Sequence, residues 1–367
     1  MRLLISGGGT AGHIYPLLAV LDEVKKKLCD ERMEILYIGS KGGIEEEILK
    51  KENIPSFFIF SGKWRRYWFK WLPALLFNIK DLFLIIAGFF QAFFIMAKFH
   101  PDILLAKGGY VTVPVVFAAK ICGIPIISHE SDIVMGVSNK ISAKMSEKIC
   151  VSFPIRYYPN LPKDKLVYTG NPVRKEFFTR SRLSKKNKPM VLVMGGSQGA
   201  EIINKIILKM IPKIIKNINI VHITGKSKAE AAFLLRRKLP KEDQKNYEIF
   251  EFIDNDLAKI MMQSDLILSR AGANTLAEIS VCGKPSILIP LKNAASDHQT
   301  KNAQIFAQNN AAVIILEDNL NVENLQDTIL KLIDDKEKLK KMSENSFALA
   351  KKDAASLIAE EVIKQRE

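Results

Sequence analysis

The pattern that most constrains the fold is an alternation of short apolar runs, several of them followed by glycine, with stretches of helical spacing. In the first half of the chain the runs are residues 3–6, 34–38, 103–106, 125–128 and 148–152, and in the second half they are residues 190–194, 220–224, 266–269, 287–290 and 312–316. Short β-branched strands separated by helices are typical of parallel βαβ units. The sequence therefore predicts an α/β fold with two doubly wound parallel sheets, which bind ligands at the carboxyl ends of their strands.

A basic, proline-containing segment separates the two halves. Residues 157–188 contain Pro159, Pro162 and Pro172, and they keep neither a helical nor a strand period. We expect one domain over residues 1–166 and a second over residues 167–352, with the boundary near Val167. The last helix, within residues 353–367, can pack on either half, including a return to the first domain.

Charge and cysteine content narrow the classes of partner. The chain has 54 Lys and Arg against 39 Asp and Glu, a net charge of +15, and its 48% hydrophobic content excludes a disordered chain. The positive charge predicts an anionic partner, and nucleic acid, an anionic membrane surface and a phosphorylated substrate are all compatible with it. Four cysteines without C-x-x-C spacing, and an apolar start (MRLLISGGG) too short for a signal peptide, favour the cytosol.

One apolar stretch is a candidate for contact with a membrane. Residues 82–97 are shorter than the roughly 18–20 residues needed to span a bilayer, and Gln91 interrupts them, so we expect a buried or interfacial helix. Residues 63–71, KWRRYWFKW, precede it and suit the headgroup region of an anionic membrane. A core helix with a solvated basic loop is the alternative. Alternating aromatic and basic residues like those of 63–71 also occur in binding sites for single-stranded nucleic acid. No recognised nucleic-acid-binding module accompanies them in this sequence, and we expect no nucleic-acid partner.

Three glycine-rich loops follow predicted strands, at residues 6–13, 107–110 and 195–200. In each, backbone N–H groups and a helix amino terminus converge where an anion can bind. The first loop fits neither G-x-G-x-x-G nor the Walker pattern, and a simple tight turn is its alternative interpretation. In the third, Ser197 can add a hydroxyl to a phosphate site. Together the loops indicate two phosphate-bearing ligands, one for each domain.

Several polar side chains in these loops are candidates for chemistry. His13 is a candidate general base, because a neutral imidazole accepts a proton near neutral pH. Residues 269–278, SRAGANTLAE, form a further strand–turn–helix motif, in which Glu278 can accept hydrogen bonds from the hydroxyls of a ribose or can simply favour the helix dipole. Residues 290–302 form a polar loop that can bind a sugar or remain a solvated turn.

Taken together, these motifs resemble the MurG family, the UDP-N-acetylglucosamine-dependent transferases that act on lipid-linked muramyl-pentapeptide in peptidoglycan synthesis. The matching motifs, in the family's order, are GGGTAGH at 7–13, GGY at 108–110, HE at 129–130, NPVR at 171–174, GGSQGA at 195–200, FID at 252–254, SRAGANTLAE at 269–278 and the Gln299 loop. The resemblance implies a GT-B architecture, two Rossmann-like domains facing across a cleft. It also implies an acceptor-binding, membrane-associating amino-terminal domain and a UDP-GlcNAc-binding carboxyl-terminal domain, at the cytoplasmic face of the plasma membrane.

The resemblance implies roles for individual residues. His13 would deprotonate the muramyl 4-hydroxyl in a single inverting displacement. The sugar end of the donor would contact Thr10, Ala11, Gly12, Asp132 and Gln299. Arg174 and Ser197 would hold the nucleotide and diphosphate, and the backbone of Ile253 would contact the uracil. The diphosphate and ribose would also be bound by Ala273, Asn274, Thr275, Leu276, Ala277 and Glu278. No tightly bound metal or other cofactor is expected; Asp254-Asn255-Asp256 matches a D-x-D metal motif superficially and is interpreted as part of the uracil loop.

The chain departs from the family pattern in its first half. Residues 129–132 are His-Glu-Ser-Asp, whereas the family usually has His-Glu-Gln-Asn, and an ionised Asp132 accepts hydrogen bonds but cannot donate them. Ala11 replaces the usual glycine, and Val113 stands where the family commonly has glycine. These departures keep open a related transferase that acts on another lipid acceptor, such as diacylglycerol. A non-catalytic nucleotide-sugar-binding protein is a further alternative, which His13 and Glu278 disfavour.

Overall fold

The computed structural model describes residues 1–8, 11–29, 32–41, 45–62, 71–179, 187–196, 199–253 and 256–366, and it describes residue 11 and residues 71–78 by their backbone alone. Four sets of sequence-based predictions fall outside this description: Thr10 and the side chain of Ala11, residues 63–70 of the basic aromatic segment, Ser197, and Asp254-Asn255. The chain divides into two compact units, Met1–Pro172 with Asp353–Glu367, and Val173–Lys352.

The first unit is built on a seven-stranded, wholly parallel sheet in the order β3-β2-β1-β4-β5-β6-β7. Its strands are β1 (Arg2–Gly7), β2 (Glu34–Ser40), β3 (Ser56–Ile59), β4 (Ile103–Gly108), β5 (Ile126–Glu130), β6 (Lys148–Val151) and β7 (Leu166–Tyr168). Its first helices are α1 (Ala11–Lys27), α2 (Glu45–Lys51), α3 (Trp71–Phe99), α4 (Thr112–Ile121) and α5 (Val137–Met145). Both faces of the sheet are covered, which is why its central strands are apolar throughout.

Alternation along β1 shows how the two faces are filled. Leu3 and Ile5 pack with Leu17 of α1 on one face, while Leu4 packs with Met96 of α3 and Val115 of α4 on the other. Successive side chains of a strand point to opposite faces, so one strand contributes to both layers of the core.

The second unit contains a six-stranded parallel sheet in the order β10-β9-β8-β11-β12-β13. Its strands are β8 (Met190–Met194), β9 (Asn219–Ile223), β10 (Tyr247–Phe250), β11 (Leu266–Ser269), β12 (Ser286–Leu288) and β13 (Ala312–Ile314). Its helices are α6 (Glu201–Ile214), α7 (Glu230–Lys238), α8 (Lys241–Gln244), α9 (Leu257–Gln263), α10 (Ala273–Cys282), α11 (His298–Gln308), α12 (Val322–Asp334) and α13 (Lys336–Ala348). The prediction of two doubly wound parallel-sheet domains is confirmed.

The last helix, α14 (Ala354–Lys364), packs on the first unit. Its Ile358 and Val362 are fully buried in the same apolar cluster as Val24 of α1. The ammonium of Lys27 also pairs with the Glu360 carboxylate at 2.9 Å. The chain therefore returns to its first unit after completing the second.

The division between the units lies after Pro172, later than the boundary expected near Val167. The reason is β7, which pairs in parallel with β6 and places Val167 opposite Cys150. Hydrogen bonding along this pair makes residues 166–168 the edge strand of the first sheet, which the lack of a clear period in the sequence did not reveal.

Candidate active site

The first two glycine loops lie side by side at the carboxyl ends of β1 and β4. The Gly8 amide donates to the Gly108 carbonyl oxygen at 3.2 Å. Gly109 has φ of 91°, and a Cβ there would lie 2.3 Å from the Gly8 carbonyl oxygen. Only glycine meets both demands, because the left-handed backbone and the close approach each exclude a side chain. The backbone of Gly8 and of Gly108-Gly109 therefore forms a rim in the first unit.

His13 lies in the first turn of α1, directly after Gly12 and beside this rim. Its side chain is partly exposed, but its Nδ1 atom is buried and has no hydrogen-bond partner among the described residues. Desolvation and the nearby ammonium of Lys107 lower the pKa of His13 to about 4, although the Lys107 backbone carbonyl acts in the opposite direction. The imidazole is therefore neutral at pH 7 and able to accept a proton.

A buried lysine links the two sides of this region. Lys107, at the end of β4, is only 2% exposed, and its ammonium donates to His129 Nδ1, to Ser131 Oγ at 2.6 Å and to Asn171 Oδ1 at 3.0 Å. The other ring nitrogen of His129, Nε2, donates to the Gly170 carbonyl at 3.0 Å. Burial, followed by the charge of Lys107, holds the pKa of His129 well below its usual range, so His129 is a neutral acceptor for Lys107.

Glu130 organises the loop that carries Asp132. Its carboxylate accepts hydrogen bonds from the Asp132 amide at 2.9 Å, the Gly136 amide at 3.1 Å and Asn139 Nδ2 at 2.9 Å. Burial raises the pKa of Glu130 to about 7. Tyr158 fixes the same loop by donating its hydroxyl to the Asp132 carbonyl at 2.9 Å. The backbone of Asp132 is thus held on both sides.

Sequence reasoning did not single out Lys107 or the bracing role of Glu130. One usable signal was present, namely a lysine at the end of an otherwise apolar strand, immediately before two glycines. A charged group in that position is buried by the fold and needs acceptors close by. Its acceptors come from two later segments of the chain, around 129–131 and at 171, and no sequence spacing predicts that meeting.

The third glycine loop lies in the second unit, between β8 and α6. Gly199 has φ of 68°, and a Cβ there would lie 2.2 Å from the Thr224 carbonyl oxygen. Asn204 of α6 donates to that same carbonyl at 2.9 Å, and its Oδ1 is 3.0 Å from His222 Nε2. Tyr247 completes the network, with its hydroxyl 2.9 Å from His222 Nδ1. Buried polar side chains therefore fix the carboxyl side of the loop against β9.

The helix that follows β11 carries the predicted ribose acid. Glu278, in the second turn of α10, is partly buried, and burial raises its pKa to about 7 while the charge of Arg174 acts to lower it. Arg174 also lies over the Phe177 ring, 5.4 Å from its centroid. The charge of Arg174 thus acts on Glu278 within the second unit, although the two residues are 104 positions apart in the sequence.

The other predicted donor contacts in the second unit differ in what they can offer. Leu276 is 1% exposed and Ala273 8%, so their side chains belong to the core and only their backbone can meet a ligand. Asn274, Thr275 and Ala277 are partly exposed along the same helix. Ile253, also partly exposed, packs against the second unit's apolar cluster.

Arg270 connects two loops of the second unit, a role that sequence reasoning did not assign. Its Nη1 donates to the carbonyls of Ile289 and Pro290, at 3.1 and 3.3 Å, and forms an ion pair with Glu317. The start of the 290–302 loop is thereby attached to the end of β11. At the start of α11, Gln299 Oε1 accepts from the Leu291 amide at 3.0 Å, which closes the loop.

No group of three or more His, Cys, Asp or Glu side chains suited to a metal ion occurs within the described residues. Asp254 and Asn255 of the D-x-D-like motif are not part of that description. Lys107, His129 and Glu130 are instead satisfied by side-chain, amide and backbone partners.

Helix α3 is longer than the apolar stretch that the sequence suggested. Residues 79–99 form a segment of 21 residues that is long and apolar enough to cross a membrane by length and composition, so the expectation that it is too short was wrong. One side packs in the first unit, where Ala92 and Met96 are buried. Gln91 does not weaken the helix, because its Oε1 accepts from the Phe60 amide, 2.8 Å away, just beyond the edge strand β3.

Comparison with known proteins gives one consistent family. Residues 3–151 match the glycosyltransferase family 28 N-terminal domain, and residues 190–358 match the family 28 C-terminal domain. Relatives named UDP-N-acetylglucosamine--N-acetylmuramyl-(pentapeptide) pyrophosphoryl-undecaprenol N-acetylglucosamine transferase include one from Clostridium botulinum, 41% identical over 88% of both chains. Another, from Clostridium perfringens, is 38% identical over 95% of this chain and 94% of its own.

Solved structures agree with these matches. MurG of Acinetobacter baumannii superposes with a TM-score of 0.75 at 27% identity and covers 99% of each chain. A UDP-GlcNAc 2-epimerase from Neisseria meningitidis shares the fold, with a TM-score of 0.68 at 14% identity over 99% of this chain and 100% of its own. The resemblance drawn from the motifs is confirmed, and the chain belongs to glycosyltransferase family 28.

Proposed function

We propose that this glycosyltransferase moves N-acetylglucosamine from UDP-GlcNAc to the 4-hydroxyl of the muramyl sugar in undecaprenyl-pyrophosphoryl-MurNAc-pentapeptide. The observation that carries the proposal is that relatives named for this reaction align with nearly the whole chain, across both units. The chemistry of the site agrees with it, because the first unit holds a neutral imidazole beside two glycine loops and the second holds a carboxylate beside an arginine.

The two units have separate tasks in this proposal. The first unit, residues 1–172 with 353–367, binds the lipid-linked acceptor and the membrane. The second unit, residues 173–352, binds UDP-GlcNAc. The glycine loop after β8, whose Ser197 adds a hydroxyl, and the amino terminus of α10 bind the diphosphate, because converging N–H groups favour negative charge. Glu278 accepts hydrogen bonds from the ribose hydroxyls, and the backbone of Ile253 contacts the uracil.

Contacts to the sugar of the donor are proposed separately for each unit. Thr10, Ala11 and Gly12 supply backbone close to the sugar, and Gln299 contacts its polar groups. Asp132 can only accept hydrogen bonds when ionised, so it suits a hydroxyl or amide N–H of the sugar and not a carbonyl oxygen. Glu130 and Tyr158 hold the Asp132 backbone, and so they set the position from which its side chain extends.

The reaction is a single displacement with inversion. His13 takes the proton of the muramyl 4-hydroxyl as its oxygen bonds to the anomeric carbon, and the bond from that carbon to the β-phosphate oxygen breaks. The electron pair leaves with UDP, where Arg174 and the N–H groups of the glycine loop and of α10 stabilise the charge. This set of donors gives the leaving group its stabilisation without a resident metal or other cofactor, and we propose none.

Membrane association is proposed for one face of α3 and the adjoining end of α4. This apolar face consists of Ile79, Leu82, Phe83, Ile86, Phe90 and Phe94 of α3 with Phe117 and Ile121 of α4, all exposed. Phe83 and Phe94 are 67% and 68% exposed, which is unusual for large apolar side chains that share one helix face. Exposed Lys80 and Lys98 accompany it on α3 and can meet anionic headgroups. The enzyme is therefore proposed to lie on the cytoplasmic face of the membrane as a peripheral protein.

Vesicle sedimentation tests this face. We expect the protein to bind vesicles containing phosphatidylglycerol more strongly than vesicles of phosphatidylcholine alone. The double variant Phe83→Ser with Phe94→Ser should lose at least about tenfold in binding, because two large apolar side chains no longer enter the bilayer. Phe233→Ser with Leu234→Ser, on exposed α7 of the second unit, is the matched control. Equal binding by both double variants would contradict the assignment.

A transfer assay tests the function itself. Labelled UDP-GlcNAc is incubated with undecaprenyl-pyrophosphoryl-MurNAc-pentapeptide, and separately with diacylglycerol. We expect label in the muramyl lipid with inverted anomeric configuration. Transfer to diacylglycerol instead would identify the other lipid acceptor. Binding of UDP-GlcNAc without transfer to either would indicate a nucleotide-sugar-binding protein.

A further inference from the structure

Lys107 is a buried cation whose hydrogen bonds are all made within the protein. Its three ammonium protons match three acceptors, His129 Nδ1, Ser131 Oγ and Asn171 Oδ1. A buried ammonium is costly unless it is paired and hydrogen-bonded. Burial lowers the pKa of Lys107 to about 7, and the charges of Glu130 and Asp132 oppose that shift, so Lys107 carries its full charge in the acidic range in which His13 titrates. This side chain is held in a fixed place and is not extended toward solvent.

The fixed cation lies next to the proposed base. A Cβ placed on Gly7 would lie 3.2 Å from the Cβ of Lys107 and 3.5 Å from the Cβ of His13, so both side chains leave the backbone beside the same glycine. Tyr37 holds that glycine by donating its hydroxyl to the Gly7 carbonyl. The Cβ atoms of Lys107 and His13 therefore both lie against Gly7, whose carbonyl is held in place.

Other charged groups near His13 do not replace Lys107. His129, on β5, is neutral, and the Glu130 carboxylate is engaged by three N–H donors. On the α2 side, Glu45 accepts from Ser40 Oγ at 3.0 Å. On the α14 side, Glu360 pairs with Lys27 at the far end of α1, and Glu361 acts on Cys150. Among the described groups, Lys107 is the charge that lowers the pKa of His13, and it adds to the larger effect of burial.

We propose that Lys107 is a positioning residue for the reaction: its tethered ammonium keeps His13 in the neutral, proton-accepting form and expels the proton again after transfer. A second positive charge beside Lys107 is disfavoured by Coulomb repulsion, which is strong where water is excluded. The neutral ring is thus available whenever the acceptor binds, and the imidazolium formed by proton transfer is short-lived. This inference rests on the proposed function in taking His13 as the base.

Ser131 and Asn171 accept hydrogen bonds that hold the Lys107 ammonium in place. Ser131 stands where the family usually has glutamine, and its short side chain lets the hydroxyl oxygen lie 2.6 Å from the Lys107 ammonium. Asn171 lies within hydrogen-bonding reach of both, with its Oδ1 3.2 Å from Ser131 Oγ. If the acceptors of Ser131 and Asn171 are removed together, the Lys107 ammonium is free to move. The loss of both acceptors should weaken the influence of Lys107 on the pKa of His13 without removing the charge.

The decisive variant is Lys107→Met, compared with Lys107→Arg and with Lys50→Met on the exposed face of α2. The first readout is the titration of the His13 ring by NMR of histidine-labelled enzyme, assigned with His13→Asn. We expect the midpoint to rise in Lys107→Met and to stay below the ordinary value for histidine, because burial, the larger cause of the lowered pKa of His13, remains. Lys107→Arg and Lys50→Met should titrate as the wild type does.

The second readout is the pH dependence of kcat/KM. We expect its acidic limb to move upward by the same interval in Lys107→Met and to be restored in Lys107→Arg. If Lys107→Met does not fold, Ser131→Ala with Asn171→Ala should give a smaller shift in the same direction. An unchanged His13 midpoint in a folded Lys107→Met protein would overturn the proposal and leave Lys107 with a structural role alone.

The two readouts separate this inference from the proposed function. If His13→Asn retains full turnover, the base assignment fails, yet a shifted His13 midpoint in Lys107→Met still shows the electrostatic coupling. If His13→Asn is inactive and the His13 midpoint does not move in Lys107→Met, the assignment of His13 as the base is supported and the proposed coupling to Lys107 is contradicted.

Discussion

The candidate sites of the two units use different chemical groups. In the first unit, four ionisable side chains with strongly shifted pKa values, His13, Lys107, His129 and Glu130, gather at the carboxyl ends of β4 and β5 and at the start of α1. In the described part of the second unit, the glycine loop and α10 present mainly backbone, with Arg174 and Glu278 as the charged pair.

We attribute the difference to the tasks proposed for the two units. Moving a proton requires groups whose protonation the protein can tune, and burial beside a fixed charge is the means of tuning. Holding a diphosphate requires many weak positive ends in a fixed arrangement, which glycine loops and helix amino termini provide without any side chain. The following variants test this contrast, from the largest expected effect to the smallest.

Replacing the base should have the largest effect. We expect His13→Ala to lower kcat by about 10²- to 10⁴-fold, the usual contribution of a general base. The measurement is turnover with the lipid-linked muramyl acceptor. His100→Asn is the matched control, since His100 is exposed and its φ of 48° suits asparagine. If the turnover of His13→Ala lies within a fewfold of that of the control, the proposed difference between the units is contradicted, because His13 of the first unit would then not carry out the proton transfer.

Removing the ribose acid should reduce donor affinity. We expect Glu278→Ala to bind UDP about 10- to 100-fold more weakly, because hydrogen bonds to a charged group are lost. The pKa of Glu278 is raised to about 7, so the carboxylate takes up a proton as the pH falls through that value. UDP affinity should therefore decrease from pH 8 to pH 6 in the wild type, and Glu278→Gln should flatten that dependence.

The control for this variant is Glu230→Ala, on the exposed first turn of α7 in the same unit. It should bind UDP as tightly as the wild type at both pH values. A pH dependence that persists in Glu278→Gln would assign the titration to another group.

Breaking the arginine link between the two loops should have the smallest effect of the three. Arg270 and Glu317 are only 11% and 15% exposed, so Arg270→Gln leaves a partly buried carboxylate and two carbonyls without their donor. We expect the free energy of unfolding to fall by about 1–3 kcal/mol and KM for UDP-GlcNAc to rise with little change in kcat. Denaturant unfolding and initial rates measure the two effects.

The neighbouring pair of Lys292 and Asp318 provides the control. Both side chains are more than half exposed, at 54% and 67%. Lys292→Gln should therefore change the free energy of unfolding by less than about 0.5 kcal/mol. Equal losses in the two variants would show that Arg270 acts as an ordinary surface charge.

The regular parts of the fold were predictable from local sequence. Runs such as 103–106 and 190–194 are apolar because both faces of a parallel sheet are covered, and the glycines after them follow from the backbone turn into a helix. Val167 was misplaced because β7 has only three residues, too few to show a period. Its strand character comes from pairing with β6, which is a tertiary contact.

Local pattern predicts the positions of single candidate residues, whose roles stay predictions, and it does not predict groups that several residues form together. His13 and Glu278 follow from loop and helix context. Lys107 acquires its role from acceptors that lie 22 and 64 residues further along the chain, His129 and Asn171. Arg270 likewise depends on carbonyls 19 and 20 residues away. Such contacts arise from the order of strands in the sheet, which local pattern does not specify.

The division of tasks between the units is tested most directly by titrating UDP-GlcNAc calorimetrically into His13→Ala and into Glu278→Ala. We expect His13→Ala to bind the donor within about twofold of the wild type, and we expect the affinity of Glu278→Ala for the donor to fall by about tenfold or more. A loss of donor affinity in His13→Ala as large as that in Glu278→Ala would contradict this expectation, because the His13 side chain would then bind the donor instead of acting as the base alone.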